Sequence, residues 1–381
     1  MKRLFTLLLL IFNLSVSAQN LVSAREIIDT LTSATLWGRG YTRGGMQKAA
    51  AYITEEFKRA GLQPMAGENY NQDFSYPVNT FPGKMEVNIN GKKLVPGKDF
   101  IIAPSSSGLK VKAELEQLDS ITFISRENRL MILKQDKLTW GTAQQAEDFT
   151  VVLLDKKAMT ELPEAVELQV ENDLIPEFKT SNLCGMVKGT LHPDSVILFT
   201  AHYDHLGGMG ENTYFPGAND NASGVALLLS LARYYAAHPQ PYSIGFICFA
   251  GEEAGLLGSA YFTEHPLIQL AHIRFLLNVD IVGTGEKGIT VVNSTLHPKE
   301  FAVLNRLNAK YKYLPAINPR GPAANSDHYN FTQKGVPAFF IYTQGGINAY
   351  HDIFDRAATL PLTKFKQLYH LFIGFNASLM R

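Results

Sequence analysis

The sequence predicts an α/β protein with a mostly parallel central sheet, covered on both faces by helices, and a mostly β insertion. From about Thr180 onward, compact apolar runs alternate with helix-like segments, a pattern typical of a parallel sheet. Between about Tyr76 and Glu177 the pattern differs, because short runs alternate apolar and polar residues, as is typical of β-strands. Hydrophobic residues make up 46% of the 381 residues, which is enough to bury a sizeable core.

The first eighteen residues are typical of a secretion signal. Residues 1–3 form a basic tip, an apolar run extends from Leu4 to Leu14, and residues 16–18 are the small residues that a signal peptidase needs. The apolar run is too short to span a bilayer comfortably, although a retained membrane anchor is an alternative. We expect cleavage after Ala18, export to the periplasm or the extracellular space, and no stable membrane association.

Two helices are predicted before the insertion. Apolar residues recur at helical spacing over Val22 to Thr32 and over Gly45 to Ala60, and Gly61 is a natural helix stop. We therefore assign residues 19–75 to an N-terminal helical part of the main domain.

Residues 76–177 are predicted to form the mostly β insertion, which could act as a lid and contains no catalytic constellation of its own. Its predicted strands are Met85–Ile89, Arg129–Leu138 and Phe149–Leu154, and a turn is predicted at Asn90-Gly91.

Residues 178–381 are predicted to supply most of the main domain. The predicted strands are Val196–Ala201, Ile244–Ala250, Phe275–Val279 and Ala338–Tyr342, and the predicted helices are Ala222–Ala236 and Thr363–Met380. In a sheet of this kind, ligands bind beyond the carboxyl ends of the strands. The polar residues that follow these strands are therefore the candidates for a functional site.

Charge and cysteine content exclude several classes of function. Lys+Arg and Asp+Glu both number 35, so no net charge favours nucleic acid or an acidic membrane surface as a partner. Cys184 and Cys248 both lie in apolar runs, and we expect buried free thiols, with a disulfide as the alternative. Two cysteines cannot form a cysteine-based zinc site, so any metal would be bound by histidines and carboxylates.

A set of five such residues is placed after strands or in loops. The candidate metal ligands are His202, Asp220, Glu253, Asp280 and His351. This set can hold two divalent ions if one carboxylate bridges them, and we choose Asp220 for the bridge. Imidazole and carboxylate favour Zn²⁺, with manganese and cobalt as alternatives. Singly, Asp220 could cap a helix, His351 could be a surface histidine and Asp280 a turn residue.

Glu252 and Glu253 stand side by side at the end of a predicted strand, between glycines. Such a pair suits a division of labour, in which Glu253 binds metal and Glu252 takes a proton from water. We expect Asp204, two residues after His202, to accept the other ring N–H of that histidine. A plain surface aspartate is the alternative, and His205 has no assigned role.

The order of these motifs resembles that of the secreted co-catalytic zinc aminopeptidases of metallopeptidase family 28, clan MH. The resemblance covers about residues 180–360 and touches the helix at residues 45–61. The matching motifs are His202-Tyr203-Asp204, Asp220-Asn221-Ala222-Ser223-Gly224, Glu252-Glu253, Asp280, Ser326-Asp327-His328 and Tyr350-His351. The resemblance implies a metallopeptidase catalytic domain over residues 178–381.

The resemblance also implies a role for each residue of the set. It assigns His202 and Asp280 to one zinc ion, Glu253 and His351 to the other, and Asp220 to both. It makes Glu252 the general base and places Tyr350 beside the tetrahedral intermediate. The Ser326-Asp327-His328 segment is interpreted as structural or as a support for the ligands.

The sequence departs from the family pattern in two places. Residues 352–355, Asp-Ile-Phe-Asp, follow the last histidine where the family often has Thr-Pro, which leaves the shape of the substrate pocket open. The insertion resembles only loosely the protease-associated domain that some members carry.

The expected function is metal-dependent hydrolysis of peptide bonds, with release of N-terminal residues from a peptide substrate. The alternatives are a carboxypeptidase or dipeptidase using the same site, a glutaminyl cyclase-like acyltransferase with a single zinc ion, and a non-catalytic binding scaffold. Residue preference and oligomeric state stay open.

Overall fold

The computed structural model describes residues 21–380. The predicted signal segment, residues 1–18, lies outside the described residues. Within the described range, none of the helices is long and apolar enough to cross a membrane.

Seven helices lie in the described residues, and the sequence predicted the first three and the last of them. They are α1 (residues 21–31), α2 (Gly45–Ala60), α3 (Ser223–Ala237), α4 (Leu257–Glu264), α5 (Pro298–Tyr311), α6 (His328–Gln333) and α7 (Phe365–Leu379). Short helical turns lie at Ala34–Arg39, Ala218–Ala222, Leu270–His272 and Ala357–Thr359. Helix α2 ends where predicted, because Gly61 adopts a left-handed conformation (φ 81°) and its N–H caps the last turn.

Twenty strands are present in the described residues. They are β1 (Gln63–Pro64), β2 (Asn71–Thr80), β3 (Met85–Ile89), β4 (Lys92–Lys93), β5 (Phe100–Ile102), β6 (Leu109–Glu114), β7 (Glu116–Gln117), β8 (Thr122–Ser125), β9 (Leu130–Gln135), β10 (Thr150–Asp155), β11 (Ala165–Val170), β12 (Asp173–Val187), β13 (His192–His202), β14 (Gly208–Met209), β15 (Thr213–Tyr214), β16 (Tyr242–Phe249), β17 (Ile273–Val279), β18 (Gly288–Val292), β19 (Ile317–Pro319) and β20 (Ala338–Gln344).

The central sheet has nine strands in the order β1-β12-β16-β13-β17-β20-β18-β19, with β2 also paired to β12. The four middle strands β16, β13, β17 and β20 are parallel to one another, which confirms the predicted parallel centre. Strand β12 joins β16 antiparallel, and β18 joins β20 antiparallel, so the whole sheet is mixed. The sequence did not indicate these antiparallel borders.

Both faces of the parallel centre are covered, which explains its continuous apolar runs. Residues 196–202 of β13 and 243–249 of β16 are all buried. Ile197 and Phe199 contact the core beneath α2, α3 and α7, whereas Leu198 contacts a second core beneath α4 and α6. Successive side chains of a strand point to opposite faces, so a strand covered on both sides needs apolar residues throughout.

Strands β2 and β12 pair as two long antiparallel arms that leave the central sheet. The chain between them forms a five-stranded sheet, β5-β10-β9-β8-β7, and a four-stranded sheet, β4-β3-β11-β6. These sheets enclose a separate apolar core, which is completed by Leu206, Met209 and Phe215 from the main part of the chain. This part of the chain is thus packed directly against the loop that follows His202.

The two cysteines lie on neighbouring strands, Cys184 on β12 and Cys248 on β16, and both are free and buried. Their side chains belong to different cores on opposite faces of the sheet. Burial raises the pKa of each thiol well above its ordinary value. They are therefore unreactive core residues.

Candidate metal centre

Three of the five predicted ligands lie at the carboxyl edge of the parallel strands. His202 is the last residue of β13, Glu253 follows β16 after a short glycine turn, and Asp280 follows β17 directly. His202 is paired in register with Phe249, the last residue of β16. Because the strands are parallel, their polar ends meet at one edge of the sheet.

Asp220 lies in the short turn before α3 and faces both histidines. Its Oδ1 is 3.3 Å from Nε2 of His202, and its Oδ2 is 3.1 Å from Nε2 of His351. Helix α3 begins at Ser223 and has no side-chain cap, so Asp220 does not act as the N-cap that the sequence left open. The two carboxylate oxygens of Asp220 thus face different imidazoles.

The remaining contacts close the cluster. Nε2 of His202 is 3.3 Å from Oδ1 of Asp280, and Nε2 of His351 is 3.1 Å from Oε2 of Glu253. The structure therefore brings all five predicted ligands together, with Asp220 between the pair His202–Asp280 and the pair His351–Glu253. Ligand atoms of His202, Asp220 and Glu253 lie within 4.8 Å of one another, as do those of His202, Glu252 and Asp280.

The charges of the cluster are strongly coupled. Burial opposes protonation of His202 and His351, but neighbouring carboxylates outweigh it. Asp280 and Glu252 hold the pKa of His202 well above its usual range, and Glu253 and Asp220 raise that of His351 to about 11. Conversely, burial opposes ionisation of Asp220 and Glu253, yet the histidines hold the pKa of Asp220 well below its ordinary value and that of Glu253 at about 2.

This donor set fits divalent metal ions. The carboxylates of Asp220, Glu253 and Asp280 are all buried, and their ionised forms need positive charge close by. Imidazole nitrogen and carboxylate oxygen are the ligands that Zn²⁺ takes in proteins when cysteine is absent. The residues present therefore suit metal binding both in type and in the charge that they require.

Glu252 differs from its neighbour. Burial raises the pKa of its carboxyl well above the ordinary value, and Asp280 and Glu253 raise it further, against the opposing effect of His202. A carboxyl with a raised pKa holds a proton more readily, which is the property that a group shuttling protons needs. Glu253 instead is kept ionised, so their surroundings shift the pKa values of these two adjacent carboxyl groups in opposite directions.

Asp204 lies beside His202 as predicted, but the contacts differ from the expected ones. The backbone carbonyl of Asp204 accepts the Nδ1–H of His202 at 3.1 Å, whereas its carboxylate is 3.7 Å from that nitrogen. The carboxylate instead accepts the backbone N–H groups of Glu252 and Glu253, each at 3.2 Å. Asp204 thus connects the end of β13 to the glutamate pair.

Three buried residues that the sequence did not single out for this role support the cluster. Nδ1 of His205 is 2.7 Å from Oε1 of Glu253. The carboxylate of Asp355 accepts the N–H groups of Asn219 and Asp220 at 2.9–3.0 Å, and burial raises its pKa to about 6. The only signals were the His-x-x-His spacing for His205 and, for Asp355, its position in the segment that departs from the family pattern.

Arg39 is the third of these residues. Its guanidinium is fully buried and donates to the backbone carbonyls of Leu31, Tyr203, Pro216, Gly217 and Asp220 at 2.7–3.2 Å. It therefore ties the loop after His202 to the turn that carries Asp220. No pattern in the sequence signals this role.

Tyr350 lies at the open side of the cluster, with 43% of its surface exposed. Its ring stacks on that of His351 with 4.0 Å between centroids. Partial burial raises the pKa of its hydroxyl above the ordinary value, so the O–H stays protonated and can donate a hydrogen bond.

The segment Ser326-Asp327-His328 contacts Asp280 through Ser326, at the carboxylate oxygen that does not face His202. Ser326 Oγ donates to Oδ2 of Asp280 at 3.3 Å and accepts a hydrogen bond from Asn278 at 2.8 Å. Asp327 and His328 are both buried.

The α/β fold thus places a buried histidine–carboxylate cluster at the carboxyl ends of its parallel strands, where sheets of this kind bind ligands. A sequence profile of peptidase family M28 matches residues 182–375, which is just over half of the chain and contains every predicted ligand. The chain belongs to this family.

Two curated relatives match shorter segments. A probable zinc metalloprotease of Pyricularia oryzae is 40% identical over 114 residues, 29% of this chain and 23% of that protein. Aminopeptidase YwaD of Bacillus subtilis is 34% identical over 172 residues, 43% of this chain and 36% of that protein. The matched segments thus span less than half the length of these relatives.

Solved structures share the fold over nearly the whole chain. The zinc aminopeptidase BSAP of Bacillus subtilis aligns with a TM-score of 0.70 at 19% identity and covers 94% of this chain and 95% of its own. A peptidase M28 precursor from Shewanella amazonensis aligns with a TM-score of 0.68 at 16% identity, with 97% of each chain covered. At these identities the likeness establishes the architecture.

The buried imidazole of His328 predicts a pH dependence of the stability of the fold. Burial lowers its pKa from 6.5 to about 4, so the unfolded chain takes up this proton more readily than the folded chain. His328 therefore stabilises the fold fully above pH 6.5 and loses this contribution as the pH falls toward 4. A shift of this size is worth about 3 kcal/mol.

Urea unfolding of the wild type and of His328→Phe at several pH values measures this effect. Phe keeps a ring beside Phe340 and cannot titrate. The wild type should lose about 3 kcal/mol more than the variant between neutral pH and about pH 4. Equal pH slopes for the two proteins would show that His328 is not held neutral in the fold.

Proposed function

We propose that this protein is a two-zinc exopeptidase that removes N-terminal residues from peptides. The observation that carries the proposal is the five-residue cluster with Asp220 between two ligand pairs, beside the additional carboxyl Glu252. Zinc aminopeptidases are among the proteins with similar sequences or folds. Membership of peptidase family M28 supports hydrolysis of a peptide bond.

The ligand residues suit two ions. His202 and Asp280 would hold one ion, Glu253 and His351 the other, and Asp220 both. When bound, such ions polarise the scissile carbonyl and make a water molecule more acidic. The protein's part is to hold ligands and reacting groups at fixed positions, which the buried hydrogen bonds of Asp204, His205 and Asp355 do.

Glu252 would move the proton. Its carboxylate takes a proton from the attacking water and passes it to the leaving nitrogen of the substrate. The residue suits this task because burial raises its pKa, so it can hold a proton between the two steps. Its N–H is bonded to Asp204, which keeps the backbone of Glu252 in place while the side chain acts.

Tyr350 would stabilise the charge that develops on the carbonyl oxygen of the substrate. Its hydroxyl is protonated and its ring is held against His351, so the O–H is available at the mouth of the site. A donor aimed at an oxygen that becomes negative lowers the barrier, because the hydrogen bond strengthens as charge develops.

Replacing Glu252 with Gln tests its role as the base. The amide cannot accept and return a proton, so kcat/KM for a peptide substrate should fall by about 10²- to 10⁴-fold while zinc content stays at the wild-type value. The matched control is Glu253→Gln, which should lower zinc content because it alters a ligand. Full activity of Glu252→Gln would remove Glu252 from the mechanism.

A panel of blocked peptides tests the end of the substrate at which cleavage occurs. A peptide with a free N-terminus and an amidated C-terminus should be hydrolysed, and the same peptide with an acetylated N-terminus and a free C-terminus should not. Cleavage of the acetylated peptide together with resistance of the amidated one would instead identify a carboxypeptidase. The rate for each peptide can be followed by mass spectrometry of the released residue.

Export of the mature chain is a further part of the proposal, since residues 1–18 have the composition of a secretion signal. Expression of the full-length chain in a bacterial host should yield a periplasmic or extracellular protein whose N-terminus is Gln19 by N-terminal sequencing. A cytoplasmic product that still starts at Met1 would contradict cleavage.

A further inference from the structure

The two histidines of the cluster are oriented by different parts of the chain. A metal-binding imidazole usually donates its other ring N–H to a fixed acceptor, which selects the tautomer and the orientation of the ring. For His202 that acceptor is the carbonyl of Asp204, in the loop that His202 itself begins. For His351 it is the carbonyl of Trp140, 211 residues away in sequence.

The contact between His351 and Trp140 is reciprocal. Nδ1 of His351 lies 2.9 Å from the carbonyl oxygen of Trp140, and the backbone N–H of Trp140 donates to the carbonyl of His351 at 2.9 Å. A carbonyl oxygen can only accept, so Nδ1 carries a proton. Nε2 is thereby the nitrogen that faces Asp220 and Glu253 and is available to a metal ion.

Residues 140–144, which we name the strap, also contact the backbone of the turn that carries Glu252 and Glu253. Thr142 Oγ1 donates to the carbonyl of Glu253 at 2.6 Å, and Gln144 Nε2 donates to the carbonyl of Ala254 at 2.9 Å. The strap therefore contacts both members of the His351–Glu253 pair. Within residues 21–380, no hydrogen bond joins the strap to His202 or Asp280.

The strap is itself fixed by contacts with β2, with β5 and with Phe215 from the main part of the chain. The indole N–H of Trp140 donates to the carbonyl of Ile102 at 2.8 Å, and its ring stacks on Phe215 with centroids 4.6 Å apart. The carbonyl of Ala143 accepts the N–H of Asn79, in β2, at 2.8 Å. A segment held at both ends can transmit a fixed position to the groups that it touches.

We propose that residues 76–177 are an insertion that completes the metal centre, in which the strap sets the affinity of the ion held by His351 and Glu253. The His202–Asp280 pair is oriented within the main domain. This inference rests on the proposed assignment of ligands to two ions. Thr142 is a positioning residue, because it acts on Glu253 through a backbone carbonyl and touches neither metal nor substrate.

Zinc titration of the chelator-stripped full chain by calorimetry tests this inference without any substrate. Thr142→Val removes the hydroxyl at nearly constant volume and should weaken one of the two zinc-binding constants by about tenfold, the lower end of the range for residues that orient ligands. The other constant should keep its wild-type value. Thr142→Ser restores the donor and should bind zinc as the wild type does.

Thr150→Val is the matched control, because Thr150 is buried and its hydroxyl donates to the carbonyl of Ser107 at 2.8 Å, within the same insertion. This variant should leave both zinc constants unchanged. Gln144→Ala, at an exposed position, should weaken the same constant as Thr142→Val and covers the case in which Thr142→Val folds poorly.

Several outcomes would overturn the inference. The inference is wrong if Thr142→Val and Gln144→Ala leave both zinc-binding constants unchanged. It is also wrong if Thr142→Val weakens both constants equally and the control Thr150→Val does the same. If the wild type binds a single ion, that one affinity must fall in Thr142→Val. Zinc binding that follows the expected pattern in a wild type without peptidase activity would leave the strap in place and contradict only the proposed function.

Discussion

The arrangement of the site depends on one electrostatic constraint, the confinement of several carboxyl groups in a buried space at the edge of the sheet. Asp220, Glu253, Asp280 and Glu252 surround the imidazoles of His202 and His351. The imidazole of His205 also contacts Glu253. Buried charges of like sign are tolerated only when positive charge or hydrogen-bond donors compensate them. The pKa shifts of the cluster, upward for the histidines and in opposite directions for Glu253 and Glu252, are consequences of this confinement.

Backbone N–H groups and a buried arginine also compensate the negative charge in and around the cluster. The carboxylates of Asp204 and Asp355 are bound by N–H groups of the segments that carry the glutamate pair and Asp220. Arg39 supplies a buried positive charge and donates to carbonyls of the loop after His202 and of the turn that carries Asp220. Burial lowers the pKa of Arg39 to about 10, so its guanidinium is charged at neutral pH. The segments that carry the proposed ligands are therefore held by residues outside the proposed ligand set. A change in one of these residues should alter the cluster without removing a proposed ligand.

The sequence predicted the parts of the site that follow from strand order. His202, Glu253 and Asp280 each come at the end of an apolar run, and parallel strands place such residues at one edge. The sheet's antiparallel borders were not predicted, because β12 and β18 carry no sign of their pairing direction in their own residues. The burial of α2 against the sheet and the glycine stop at Gly61 were visible in local periodicity and turn chemistry.

What the sequence could not reveal are contacts made through the backbone between distant segments. Arg39 contacts Tyr203 across 164 residues, and Trp140 contacts His351 across 211. The acceptors in both cases are carbonyl oxygens, which every residue possesses, so no residue type marks them. Asp204 shows the same limit at short range. Its position beside His202 was predictable, but it was not predictable that its backbone carbonyl, rather than its carboxylate, accepts the ring N–H of His202.

The central claim is that Asp220 lies between two metal ions, each completed by a different histidine–carboxylate pair. Anomalous X-ray scattering at the zinc edge, measured on crystals of the zinc-loaded protein, tests this most directly. The account predicts two peaks on either side of Asp220, one beside His202 and Asp280 and the other beside Glu253 and His351. A single peak at full zinc occupancy, or a second peak away from Asp220, would contradict it.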